Sequence, residues 1–207
     1  MKQKLLLFPC NGNAIEALDC IGDQFEVIGF IDDDSSKIGQ EVCGFKVFSR
    51  KAFNDFAYAK VLAVPGGPLS FMNRANIIEG LQLPSERFVQ VIHKHASVSK
   101  RAQLGFNVLI MAGVVITSNA KIGNHVCILP NTVIHHDSVI QNYSLLGAGV
   151  VIAGNVTIEE NCYIGSGSSV INNVTLGKGA MIGLGTNVIR DINPRTKNIG
   201  NPSRQIE

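Results

Sequence analysis

Charge of one sign is what this sequence lacks first: 18 lysines and arginines stand against 16 aspartates and glutamates, a net charge of +2 over 207 residues. That balance gives no electrostatic basis for binding nucleic acid or a membrane surface. No unbroken apolar stretch approaches the ~20 residues of a membrane span. No charged-then-apolar leader opens the chain. The expectation is a soluble, cytoplasmic protein with neither nucleic acid nor membrane as partner. The five cysteines, Cys10, Cys20, Cys43, Cys127 and Cys162, are odd in number and dispersed, without the close Cys/His pairing of a zinc site. They read as free thiols in a reducing compartment, and no metal is expected. Aliphatic residues are what the chain has: its apolar fraction is 45%, enough for a substantial core.

Two halves differ in period. Residues 1–92 alternate apolar runs with amphipathic ones: "KLLLFPC", "AIEALDCIG", "FEVIGFIDDD", "KVLAVPGG", "LSFMNRANIIEGLQL" and "FVQVI". Strands alternating with helices predict an α/β, Rossmann-like domain with a small parallel sheet. In residues 93–207 the pattern becomes a strict period of six. From Val98 to Val188 every sixth residue is Val, Leu or Ile, sixteen in succession. Four positions after each stands a small or β-branched residue almost throughout, as in Val108, Thr132, Ser138 and Val156. One position earlier the chain places Asn, Asp or Gly, broken only by Arg101, His125 and Tyr143. Neither an α-helix nor a hairpin has this period. It suits short strands separated by tight corners whose residues tolerate positive φ, each strand driving one aliphatic side chain into a narrow solenoid.

This run matches the hexapeptide repeat, and the resemblance implies a left-handed parallel β-helix with three hexads, or eighteen residues, per coil. In that register His136 lies between Ser118 and Gly154, and Asp137 between Asn119 and Asn155. Asp137 also reads simply as a residue that accepts a corner. Histidine has no corner preference, so His136 stands out. A near-neutral imidazole beside a carboxylate, with a glycine directly above leaving space and an approachable N–H, has the composition of a catalytic site. His125 and His135 read as ordinary surface histidines.

"IHKHASVS" (92–99), "VIHHDSVI" (133–140), "AGNVTIEENCYIGSGSSVI" (153–171) and "GNPSR" (200–204) resemble the sialic-acid O-acetyltransferase and nucleotide-linked aminosugar N-acetyltransferase family over essentially the whole chain. The resemblance implies acetyl-CoA as co-substrate, His136 as general base with Asp137 as its partner, and homotrimers with active sites between subunits. It assigns Gly154 to the thioester, and the coenzyme-binding positions extend to Asn155, Gly147, Gly165 and Gly183. Arg195, Lys197 and Arg204 face either the coenzyme phosphates or solvent, and Pro194 and Pro202 should end the helix and turn the chain back.

For residues 1–92 three readings stand. The turn "LFPCNGNAIEALD" and the acidic "GFIDDD" about twenty residues on have dinucleotide spacing, but G-x-G-x-x-G fails because Gly12 is the only glycine in residues 9–14. A support domain without ligand is the second reading. The resemblance supplies the third, a grip on a nucleotide-linked amino sugar through Asn11, Gly12, Asn13, Asp32, Asp33 and Gly66, with Asn131 in the sugar pocket. Two departures bear on the sugar: the family often has a second histidine where this chain has Leu145, and the Asn preceding the base falls at Asn131. The function expected is acetyl-CoA-dependent N-acetylation of a nucleotide-linked 4-amino-6-deoxysugar. The alternatives are O-acetylation of sialic acid or a related sugar, a non-catalytic β-helix scaffold, or a carbonic-anhydrase-like metal binder in which His125, His135 and His136 converge.

Overall fold

The structure, a computed structural model, describes residues 2–206. Its N-terminal half holds a five-stranded sheet of order β3-β4-β2-β1-β5, from β1 (Gln3–Phe8), β2 (Phe25–Ile31), β3 (Glu41–Val42), β4 (Phe45–Phe48) and β5 (Lys60–Ala63). β1, β2, β4 and β5 are parallel, and β3 turns back on β4. Continuous apolar runs such as Leu5–Leu6–Leu7 are what a strand buried on both faces requires. The helices are α1 (Gly12–Ile21), α2 (Ala52–Asp55) and α3 (Arg74–Glu79). The amphipathic stretch from Leu69 is thus shorter in helix than its pattern predicts, a 3₁₀ turn at Phe71–Asn73 leading into six α-helical residues.

The second half is a parallel β-helix of two-residue rungs. Each rung pairs with the rung eighteen residues on, as Val115↔Val133 and Val133↔Val151 show. Three sheets result. One, of eight strands, runs through Leu109–Ile110, Cys127–Ile128, Leu145–Leu146 and Tyr163–Ile164. A second, of six, runs through Val115–Ile116, Val133–Ile134 and Val151–Ile152. A third, of five, runs through Lys121–Ile122, Val139–Ile140 and Thr157–Ile158. We call them the docking, valine and polar faces. The hexad aliphatics fill the prism, Ile110, Ile116, Ile128, Ile134, Ile140 and Ile152 being at most 1% exposed. Each such burial contributes roughly 1.5–3 kcal/mol. The small column beside them carries buried hydroxyls with work to do. Ser138 Oγ donates to Ala153 O at 2.8 Å and accepts from Val156 N, clipping one corner to the next.

The first rung of the docking face is Val91–Ile92, which pairs with Leu109–Ile110. "FVQVI" therefore serves both halves, because Phe88 bridges to Val61 of the N-terminal sheet. At the far end Pro194 does not stop the ladder: Lys197–Ile199 pairs in parallel with Met181–Ile182, two residues short of a full coil. The chain then turns at residues 200–203, and Arg204–Ile206 returns antiparallel.

The N-terminal half sits on the outside of the docking face. Leu5, Leu7, Ala14, Ala17 and Phe71 share one apolar cluster with Leu109, Met111, Cys127, Leu145 and Tyr163. The corner between the docking and polar faces completes the joint. Asn107 donates to Ala63 O and accepts from Ala63 N, both at 2.8 Å, and also donates to His125 Nδ1. Fully buried Arg74 donates to Pro65 O and, at 2.8 Å, to His125 O. Tyr143 donates to Glu79, and Asn161 to Met72 O. His125 and Tyr143 take φ of +60° and +62° although neither is Gly, Asn or Asp. Their rings stack within 2° of parallel, with centroids 4.9 Å apart, against the N-terminal half. Of the exceptions to the corner column, these two mark where the other half docks. Arg101, the third, is not in the positive-φ region, and nor is Asp191.

Candidate active site

His135, His136 and Asp137 form the exposed corner between the valine and polar faces. In a three-sided prism that corner is opposite the docking face, so it is the part of the coil turned away from the N-terminal half. His136 Nδ1 donates to Asp137 Oδ2 at 2.8 Å. Asp137 also accepts from Asn119 Nδ2 at 3.0 Å, and these two hydrogen bonds, that from His136 foremost, hold its carboxyl below the usual carboxylate range.

Gly154 plays a part the sequence does not show. A Cβ built there would lie 2.6 Å from His136 Cε1 and 2.7 Å from Nε2. The space over the glycine is therefore filled by the imidazole itself, which rests on the Gly154 backbone. The Gly154 N–H has no intramolecular acceptor among the described residues, whereas Asn155 N donates to His136 O. Asn155 stands on the same corner and gives its side-chain amide to Asn173.

The remaining coenzyme candidates lie elsewhere. Gly147, Gly165 and Gly183 stack at the corner between the docking and valine faces, with the valine face separating them from His136. Each is overlain by the next layer of chain: a Cβ on Gly165 would meet Gly183 C at 2.7 Å, and one on Gly183 would meet Ile199 Cγ2 at 2.7 Å. Asn131 shares that corner, exposed, at φ +61°.

Most of the nucleotide candidates do come together. Asn11, Asp32, Asp33 and Gly66 line one cleft of about 420 Å³ at the carboxyl ends of β1, β2 and β5, with Phe8, Pro9 and Ser70. Ligands in open parallel sheets bind at such ends. Asn11 caps α1 by accepting from Ala14 N, and its amide reaches Val64 O. Asn13 donates to Val64 O and Gly66 O, suturing the turn to the end of β5. The N–H groups of Gly12 and Asn13 have no intramolecular acceptor among the described residues.

The two acids separate. Asp32 is 5% exposed and accepts from Cys10 N, Asp34 N and Lys37 Nζ, and Lys37 also donates to Cys10 O. Its oxygens brace the turn. Asp33 is exposed and lies in a two-pronged pair with Arg50, at 2.6 and 2.7 Å, while Arg50 also rests over the Phe8 ring. Lys37 and Arg50 carried no motif that would have drawn attention to them.

His125 is buried on a different corner from His135 and His136. Burial, then the neighbouring Arg74, pushes its pKa down to about 4. Leu145 lies inside the interdomain cluster, on the docking face. Among the described residues no three His, Cys, Asp or Glu side chains form a metal cluster, and no helix is long and apolar enough to cross a membrane.

Residues 101–136, 119–154 and 137–172 match the family described as bacterial transferase hexapeptide (six repeats). A comparison with curated protein sequences finds no match. Among solved structures, the chain is similar to a variant of perosamine N-acetyltransferase from Caulobacter crescentus in complex with CoA and GDP-perosamine, at 25% identity and TM-score 0.85 over 100% of this chain and 98% of that one. It is similar in fold to the acetyltransferase domain of PglB from Neisseria gonorrhoeae in complex with acetyl coenzyme A, at 22% identity and TM-score 0.86 over 100% of both chains. WeeI from Acinetobacter baumannii gives 22% identity and TM-score 0.84, again over 100% of both. The repeats of bacterial transferases thus span residues 101–172, and the chain shares its two-part fold from end to end with the perosamine N-acetyltransferase and the PglB acetyltransferase domain.

Proposed function

We propose that this protein is an acetyl-CoA-dependent N-acetyltransferase acting on the amino group of a nucleotide-linked 4-amino-6-deoxysugar, and that it works in the cytoplasm. The observation that carries the reading is the imidazole held between Asp137 Oδ2 and the bare Gly154 backbone on an exposed corner. The full-length likeness to an enzyme in complex with CoA and GDP-perosamine supports the substrate class.

The chemistry follows from the tautomer. With Nδ1 donating to Asp137, the neutral ring carries its lone pair on Nε2. The amino nitrogen of the sugar attacks the thioester carbon, and Nε2 takes the proton as the C–N bond forms. Asp137 stabilises the resulting imidazolium. The carbonyl oxygen becomes an oxyanion, for which the unspent N–H of Gly154 is the donor we assign. Collapse breaks the C–S bond, and the imidazolium returns its proton to the departing sulfur.

We assign the nucleotide to the 420 Å³ cleft, with its phosphates at the N–H groups of Gly12 and Asn13 and with Asp33 rather than Asp32 facing the ligand. That cleft and His136 lie on opposite sides of one coil, so a second copy must bring them together. The homotrimer meets this need if the valine face, with Val115, Val133 and Val151 on its outer surface, packs against a neighbour. Packing of that kind also sets Gly147, Gly165, Gly183 and Asn131 of one copy beside Gly154 and Asn155 of the next.

Thermal-shift titration with acetyl-CoA and with UDP-, dTDP- and GDP-sugars tests the reading, because ligands that bind the folded state raise its melting temperature. Acetyl-CoA and one class of sugar nucleotide should each stabilise the protein. His136→Asn should keep both shifts and lower turnover by roughly a hundredfold or more. No shift with acetyl-CoA would return the molecule to the scaffold reading, and an ester product would make it an O-acetyltransferase.

A further inference from the structure

We propose that Asn119, one coil below the histidine–aspartate pair, is a positioning residue for it: its amide fixes the Asp137 carboxylate so that the other oxygen stays on the imidazole. Asn119 Nδ2 meets Asp137 Oδ1 at 3.0 Å, and His136 Nδ1 meets Oδ2 at 2.8 Å. The two oxygens of one carboxylate thus have separate partners. Without the amide, a carboxylate on an exposed corner turns freely, since the terminal torsion of aspartate is broad. The hold comes from one side only. On the next coil up, the side-chain amide of Asn155 is given to Asn173 at 2.7 Å. Ser138 reinforces the arrangement by clipping this corner to the coil above, so the backbone that carries Asp137 is already fixed and Asn119 sets the last torsion. The consequence is a fixed tautomer: Nδ1 remains a donor, and the lone pair stays on Nε2.

Asparagine at φ +62° also serves as a plain corner residue, and the test separates the two roles. Asn119→Gly keeps the corner and removes the amide. Asn119→Asp keeps corner and shape while replacing the donor with an acceptor. The inference rests on His136 being the base, so one readout is independent of turnover: ¹⁵N NMR of the labelled imidazole, which distinguishes Nδ1–H from Nε2–H. In both variants the ring should move from the Nδ1–H form to a mixture. Turnover should fall roughly tenfold, the scale of one hydrogen bond to a charged group, with KM for both substrates and the melting temperature near those of the parent. Unchanged spectra and unchanged turnover would overturn the proposal. A changed tautomer with unchanged turnover would support the hold of Asn119 on the pair and overturn the assignment of His136 as base.

Discussion

Gly154 shows how a single missing methyl group shapes chemistry. Its φ lies outside the positive region, so the backbone accepts alanine, but the Cβ would meet the His136 ring at 2.6 Å. The ring is exposed and free to swing aside, so the clash should be relieved by moving the base rather than by unfolding. We expect Gly154→Ala to melt close to the parent and to lose about a hundredfold in kcat, the effect of displacing a reacting group by about an ångström. Turnover equal to the parent's would show that the shelf is dispensable. The placement of His136 beside Asp137 and against Gly154 was legible in the sequence, because the eighteen-residue register put a glycine over a histidine. That the imidazole fills this space was not, because a register gives neighbours and not rotamers. Asp32 and Asp33 make the same point. Adjacent identical residues on a strand end point to opposite sides, and only the fold shows that one braces a turn while the other meets Arg50.

At the scale of elements, the repeat was readable because most rungs obey one rule: an aliphatic inside, a small residue beside it, and a corner that accepts positive φ. The joint between the halves broke that rule at His125 and Tyr143, where tertiary packing overrides local preference. Arg74 was equally hidden, since an arginine in an amphipathic stretch reads as solvated, yet it is fully buried. This joint predicts an acid sensitivity. Asn107 Nδ2 can only donate, so His125 Nδ1 must accept, and the buried ring is neutral. Its pKa of about 4 in the folded protein lies below the ordinary 6.5. Between those values the unfolded chain binds the proton and the folded one does not, so stability falls as pH drops through the window and is fully present above it. The upper bound from this group is about 3 kcal/mol. Melting temperatures measured from pH 7 to pH 4 should fall more steeply for the parent than for His125→Asn, which keeps a residue suited to the corner and cannot titrate. Parallel slopes for the two proteins would mean that the ring is not the source.

At the scale of the molecule, the topology separates what the reaction must join. The N-terminal half covers the docking face, and the histidine stands on the corner opposite that face, so one chain presents the cleft we assign to the nucleotide and the imidazole we propose as base in different directions. The proposed reaction then calls for an assembly in which the cleft of one copy faces the imidazole of another, as cyclic oligomers with head-to-tail contacts allow. Subunit complementation tests the arrangement. His136→Asn removes the base and leaves the cleft. Gly67→Phe does the reverse: Gly67 lines the cleft, and a Cβ added there would meet no heavy atom within 4 Å, so the phenyl group is accommodated by filling the cleft. Each variant alone should be nearly inactive. Refolded together in equal amounts they should recover about a quarter of the parent activity, because that share of random neighbours pairs an intact cleft with an intact histidine. Mixtures no more active than the separate variants, with mixed oligomers verified by mass, would mean that each chain completes its own site, and the opposed geometry of cleft and corner would then have to close by movement of the N-terminal half.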